Sequence, residues 1–137
     1  MKNAVPIEIH IDGSGARPDG KGSGFAWIQP QSGKSEIIQK DHLTNNQAEY
    51  NGLLAALSSL PPKSAALVFT DSQIVSEQFN GRYQVHDSAL RELLTEIKGL
   101  IRRNSLKVSV KWIPRRANLA DGLLKRGLQR NVGEISL

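Results

Sequence analysis

Ile7, Ile9 and Ile11 alternate with Glu8, His10 and Asp12, a period of two that predicts a strand with one buried face. Residues 13–20 are rich in Gly, Pro and Asp and read as a turn. Residues 22–28, opened by glycines and carrying Phe25 and Trp27, predict a second strand. Residues 29–33 turn it back into a third strand at 35–39. Three consecutive strands joined by short turns form an antiparallel meander. Thr44 or Asn45 then caps a helix that runs to about Ser59, where Pro61 and Pro62 stop it. Residues 65–70 are almost entirely apolar, as expected of a strand buried on both faces. Asp71 or Ser72 caps a short helix ending near Asn80 and Gly81, and Asp87 or Ser88 caps a longer one. In that longer helix Leu90, Leu93, Leu94, Ile97, Leu100 and Ile101 make one apolar face. Val108, Val110 and Trp112 alternate with Lys107, Ser109 and Lys111 in a fifth strand. A last helix covers about 117–126, Gly127 ends it, and the tail after Leu128 is expected to be short and mobile. The order β-β-β-α-β-α-α-β-α predicts an α/β fold, with a five-stranded mixed sheet (the meander, then β-α units) flanked by helices.

Composition narrows the class without changing that picture. A chain of 137 residues with 39% hydrophobic and 23% charged residues suits a single domain over 1–137. It holds no apolar run of eighteen residues, so no membrane span or membrane partner is expected. Residues 1–6 lack the apolar core of a signal peptide, and cysteine is absent. Both point to the cytoplasm, and the second excludes disulfides and thiolate metal sites. Charge is distributed unevenly. Residues 1–60 carry five basic and six acidic side chains, and residues 61–137 carry thirteen and seven. The basic half predicts a polyanionic partner, most simply nucleic acid.

Within that basic half, ten Lys and Arg residues lie between Lys98 and Arg130, and Asp121 is the only carboxylate among them. Asp12 and Asp71 stand at predicted strand ends, and Glu49 and Asp121 stand on predicted helices. Each has an ordinary alternative: a turn former at Asp12, an N-cap at Asp71, a first-turn helix acid at Glu49, and an i,i+4 ion pair between Asp121 and Lys125. Together, four acids in a basic protein fit hard divalent cations acting on a phosphodiester, since such ions prefer oxygen ligands. Two ions about 3.5–4 Å apart can assist both the attacking water and the leaving oxygen.

The local contexts of the four acids are Ile11-Asp12-Gly13-Ser14-Gly15, Thr44-Asn45-Asn46-Gln47-Ala48-Glu49, Thr70-Asp71-Ser72-Gln73 and Asn118-Leu119-Ala120-Asp121. In order and spacing they resemble the four motifs of type 1 ribonuclease H, over nearly the whole chain. The stretch Asn80-Gly81-Arg82-Tyr83-Gln84-Val85 resembles the compact branch of archaea, some bacteria and plant relatives. The resemblance implies a ribonuclease H-like fold and an endonuclease that cuts the RNA strand of RNA/DNA hybrids, leaving 5′-phosphate and 3′-hydroxyl ends. It implies that Asp12, Glu49, Asp71 and Asp121 bind two Mg2+ or Mn2+ ions, with no small-molecule cofactor, in a monomer. It assigns substrate contacts to Gly13, Ser14, Gly15, Thr44, Asn45, Asn46, Ser72, Gln73, Arg115, Arg116 and Asn118. Of these, Asn46 and Gln73 would read the minor groove, and backbone at 13–15 the 2′-hydroxyls.

The chain departs from the family in two places. The loop before the last acid is Ile113-Pro114-Arg115-Arg116-Ala117, without the histidine of the best-known bacterial members; His10, His42 and His86 lie elsewhere. Arg115 or Arg116, with Arg115 favoured, would neutralise charge there but cannot act as a base. The basic protrusion is also missing, so duplex affinity would rest on scattered cations such as Arg82, Lys98, Lys111 and Arg115. Two other readings remain at this stage: a non-catalytic nucleic-acid-binding module of the same fold, and a same-fold nuclease preferring double-stranded RNA.

Overall fold

The computed structural model describes residues 5–136, with side chains described to residue 128. The first four residues, part of the stretch read for a signal peptide, lie outside them. The elements are β1 (Ile7–Ser14), β2 (Gly24–Ile28), β3 (Ser35–Gln39), α1 (Asn45–Ser58), β4 (Ala65–Thr70), α2 (Gln73–Phe79), α3 (Ser88–Arg103), β5 (Lys107–Trp112) and α4 (Leu119–Ser136). A 3-10 turn at Arg115–Ala117 links β5 to α4.

The sheet runs β3-β2-β1-β4-β5. β1 pairs antiparallel with β2, and β2 with β3, which is the expected meander. β4 joins β1 in parallel, and β5 joins β4 in parallel, so each requires a helical crossover. α1, α2 and α3 supply those crossovers and enclose the main core, where Ile9, Ile11, Tyr50, Leu53, Leu57, Val68, Val75 and Ile97 are fully buried. Each apolar side chain removed from water to that degree stabilises the fold by about 1.5–3 kcal/mol. α4 packs across β1, β2 and β3.

Thr44 caps α1 through a capping box: its hydroxyl accepts from Gln47 N at 3.1 Å, and Gln47 Oε1 accepts from Thr44 N at 2.9 Å. Ser72 caps α2 and Asp87 caps α3. These three caps resolve the alternatives left open by the sequence.

Three expectations need correction. β1 does not end at the first glycine but continues to Ser14, which pairs with Gly24. Gly13 is therefore a strand residue, and its role is close approach: a Cβ there would lie 2.4 Å from Ala48 C and Glu49 N of α1. β2 starts at Gly24 and not at residue 22, because Gly22 takes a φ of 86°. The last helix neither begins at Ala117 nor ends at Gly127. Residues 115–117 form the 3-10 turn, and α4 runs through Gly127 to Ser136, replacing the expected short tail. Gly127 is again a contact glycine, since a Cβ on it would sit 2.8 Å from Ile37 Cγ2 of β3.

Candidate metal centre and nucleic-acid cleft

The parallel pairing of β1 and β4 aligns His10 with Phe69. Carrying that register two residues further brings Asp12, near the end of β1, beside Asp71, the residue after β4. α1 presses on Gly13 and so delivers Glu49 to the same spot. Glu49 lies in the second turn of α1, not the first, and is 7% exposed, so burial outweighs any helix-dipole role. Asp121 comes from the first turn of α4. Carboxylate oxygens of Asp12, Asp71 and Asp121 all lie within 4.8 Å of one another.

The docking of α4 is specified by its first residues. Asn118 is buried, and its Nδ2 donates to Ile11 O at 2.8 Å and to Asp71 Oδ2 at 3.0 Å. Its Oδ1 accepts from Ala120 N at 3.0 Å, capping the helix. The next free amide, Leu119 N, donates to His10 Nδ1 at 3.1 Å. Burial lowers the His10 pKa against the opposing pull of Glu8, which keeps Nδ1 available as an acceptor. One side chain thus ties β1, Asp71 and α4 together, and a second fastens α4 to β1. Trp112 Nε1 holds the backbone of Asp71 from the other side, donating to its carbonyl at 3.1 Å.

Crowded acids resist ionisation. Burial first, then the negative charges of Asp71 and Asp121, push the Asp12 pKa from 3.8 up to about 7. Burial, with Asp12 and Asp71 beyond it, pushes Glu49 from 4.5 up to about 9. Among the described residues Glu49 Oε2 is buried without a hydrogen-bond partner. An orphaned buried oxygen and three converging carboxylates form an all-oxygen donor set of the kind hard divalent ions require, so the residues fit Mg2+ or Mn2+.

The cluster floors a cleft of about 460 Å³ lined by Asp12, Gly13, Ser14, Asn45, Asn46, Glu49, Asp71, Ser72, Arg115, Asp121, Leu124, Lys125 and Leu128. Of the residues singled out from the sequence, Thr44, Gly15, Gln73, Arg116 and Asn118 do not line it. Thr44 is occupied as a cap, Gln73 is exposed at the start of α2, and Arg116 is exposed on the 3-10 turn. Gly15 N donates to Asn45 Oδ1 at 2.7 Å, which pins the strand exit to the start of α1.

Two of the four scattered cations are engaged within the fold. Arg82 makes a fork of two 2.8 Å bonds to Glu77. Lys98 Nζ donates to Phe79 O at 3.0 Å and lies 3.9 Å from the centroid of that ring. Lys111 and Arg115 have no such partner among the described residues. Sequence reasoning missed His10 and the contribution of Lys125. The signals were present: His10 lies on the face of β1 opposite Ile9 and Ile11, and Lys125 lies one helical turn from Asp121. That expected ion pair does form, at 3.1 Å, but inside the cleft.

Among the described residues no helix is long and apolar enough to cross a membrane. A family model described as reverse transcriptase-like matches residues 20–126. The chain is 29% identical over 121 residues to the bifunctional protein Rv2228c of Mycobacterium tuberculosis, a match covering 83% of this chain. It spans 33%, about a third, of that relative's length. Among solved structures it resembles LC11-RNase H1, isolated from compost and crystallised with an RNA/DNA hybrid, with TM-score 0.80 and 26% identity over 91% of this chain and 98% of that one. It also resembles the N-terminal RNase H domain of Rv2228c, with TM-score 0.75 and 26% identity over 94% and 99% of the two chains. RNase H1 of the halophilic archaeon Halobacterium salinarum gives 0.73 and 25% over 88% and 94%.

Proposed function

The chain belongs to the reverse transcriptase-like family and shares the fold of type 1 ribonucleases H, and from that membership and the acid cleft we propose that it hydrolyses the RNA strand of RNA/DNA hybrids. The products would be 5′-phosphate and 3′-hydroxyl ends. The reading takes residues 1–137 as one domain, acting as a monomer in the cytoplasm. The observation that carries it is the convergence of Asp12, Asp71 and Asp121 oxygens within 4.8 Å at the floor of an open cleft, with Glu49 behind them.

Two Mg2+ or Mn2+ ions, held by Asp12, Glu49, Asp71 and Asp121, would supply the positive charge that phosphodiester hydrolysis at neutral pH requires. The protein's own part is preorganisation. Asn118 fixes Asp71, and the β1–β4 register fixes Asp12 against it. Asn46, Ser72 and the backbone at Gly13 and Ser14 line the cleft where a strand bearing 2′-hydroxyls would lie. Arg115 would add a positive charge facing the phosphates. The solved complex of LC11-RNase H1 with an RNA/DNA hybrid supports the choice of duplex.

The test is cleavage of end-labelled RNA/DNA hybrid beside double-stranded RNA and double-stranded DNA, with Mg2+, Mn2+ or EDTA. Cutting confined to the RNA of the hybrid and abolished by EDTA is expected. Preferential cutting of double-stranded RNA would move the assignment to another nuclease of this fold. Binding without any cleavage would make the chain a nucleic-acid-binding module.

A further inference from the structure

Arg115 and Lys125 are the cations lining the cleft, and they are held differently. Arg115 has no ionic partner among the described residues, whereas Lys125 Nζ lies 3.1 Å from Asp121 Oδ2. The Lys125 side chain is 65% exposed and that of Asp121 18%. The pair is thus anchored at its acid end and loose at its basic end. An i,i+4 pair with so exposed a cation adds little to helix stability, so breaking it costs little. Yet Asp121 is one of the three converging carboxylates, and every charge placed on it bears on what the cluster can bind.

We propose that Lys125 exchanges partners: it neutralises Asp121 while the acid cluster is empty, and it turns to a phosphate of the bound nucleic acid once a divalent ion takes Asp121. This rests on the metal-dependent nuclease reading above. A divalent ion at Asp121 and an ammonium 3.1 Å from the same carboxylate repel each other, and the ammonium is the mobile one. Lysine suits the exchange because it is a point charge on a flexible four-carbon stem. Freed from Asp121, it stays on the cleft wall that the phosphate backbone must pass, facing the strand together with Arg115. Lys125 is then a substrate-binding residue that also sets how readily metal enters.

The exchange predicts two effects of opposite sign in Lys125→Met, with Lys125→Arg as the charge-preserving control. Metal uptake is measured by calorimetric titration of the full chain with MnCl2 or MgCl2 alone, without nucleic acid. Removing the competing charge should tighten it by about three- to tenfold. KM for an RNA/DNA hybrid, measured at saturating metal over a series of KCl concentrations, should rise about three- to tenfold, and its log-log salt slope should fall by about 0.9. Lys125→Arg, which keeps the charge, should depart from wild type less than Lys125→Met in both. A residue with only a structural role would not move metal and hybrid affinity in opposite directions. Unchanged or weaker metal uptake in Lys125→Met, with normal uptake by wild type, would overturn the exchange and leave the nuclease reading standing. An unchanged salt slope would overturn it as well. A wild-type chain that takes up no metal would sink the nuclease reading itself, and the exchange with it.

Discussion

Asp71 is gripped on its side chain by Asn118 and on its carbonyl by Trp112, whereas the guanidinium of Arg115, three residues after that tryptophan, has no partner among the described residues. The same contrast runs through the cleft. Its acid floor is buried or half-buried and crowded, and Asp71 within it is held by Asn118 and Trp112. Its cationic rim is exposed and loosely held. On the proposed nuclease reading, the difference follows from what each would meet. Ions need ligands fixed within tenths of an ångström, and only packed elements give that. A phosphate backbone presents the same charge at every nucleotide, and cations that follow it lose little by starting free.

The comparison breaks most visibly at the floor. Asp71→Asn removes one charge and almost no volume, so the fold and its circular dichroism spectrum should survive while hybrid cleavage falls by about 10³-fold or more. Retained activity in the purified variant would remove Asp71 from the chemistry. A packing change should reach the floor indirectly. Gly13→Ala places a methyl 2.4 Å from the backbone of Ala48 and Glu49, so α1 must move. We expect a loss of about 1–3 kcal/mol in denaturant unfolding, and reduced cleavage as Glu49 shifts. A variant as stable and active as wild type would mean that α1 is not seated by this glycine.

Stability against pH sharpens the contrast, because it senses the floor and not the rim. Asp12 and Glu49 have raised pKa values in the folded chain, so the native state keeps protons that the unfolded chain releases above about pH 4. Their stabilising effect is complete in acid and is lost as pH rises, through about 7 for Asp12 and about 9 for Glu49. Metal-free protein should lose about 1–3 kcal/mol between pH 5 and pH 9, and Mg2+ should restore it. Asp12→Asn should flatten the metal-free profile, measured by thermal melting in EDTA. A profile that rises with pH would contradict the charge crowding. The smallest effects belong to the rim. Arg115→Ala should weaken hybrid binding several-fold and lower a shallow salt slope, on the order of three to five, by about 0.9. Arg116→Ala should match wild type, and equal losses in both would erase the distinction that cleft lining draws between them.

Much of this was legible in the order of the residues. The period-two isoleucines before Asp12, the apolar run before Asp71 and the caps at Thr44, Ser72 and Asp87 are local signals, and the structure keeps each as a strand or a cap, although β4, expected to be buried on both faces, is buried only at Ala66, Val68 and Thr70. What failed was the reading of glycine. Gly13 and Gly127 look like punctuation, but each is small because another element presses on it from far away in the chain. The partners of Asn118 and His10 were hidden for the same reason: their bonds span 107 and 109 residues. Nor does sequence separate paired from unpaired cations, because the fork of Arg82 on Glu77 and the reach of Lys98 to Phe79 depend on how α2 ends.

Those long spans set a timetable. Domains emerge from the ribosome N-terminal end first. When β1 and β4 have been made, Asp12, Glu49 and Asp71 already exist, but Asp71 lacks its Asn118 clasp and the cluster lacks Asp121. The cleft is assembled only when residues 118–121 return to a strand made more than a hundred residues earlier. A nascent chain can therefore fold its main core before its acid cluster is complete.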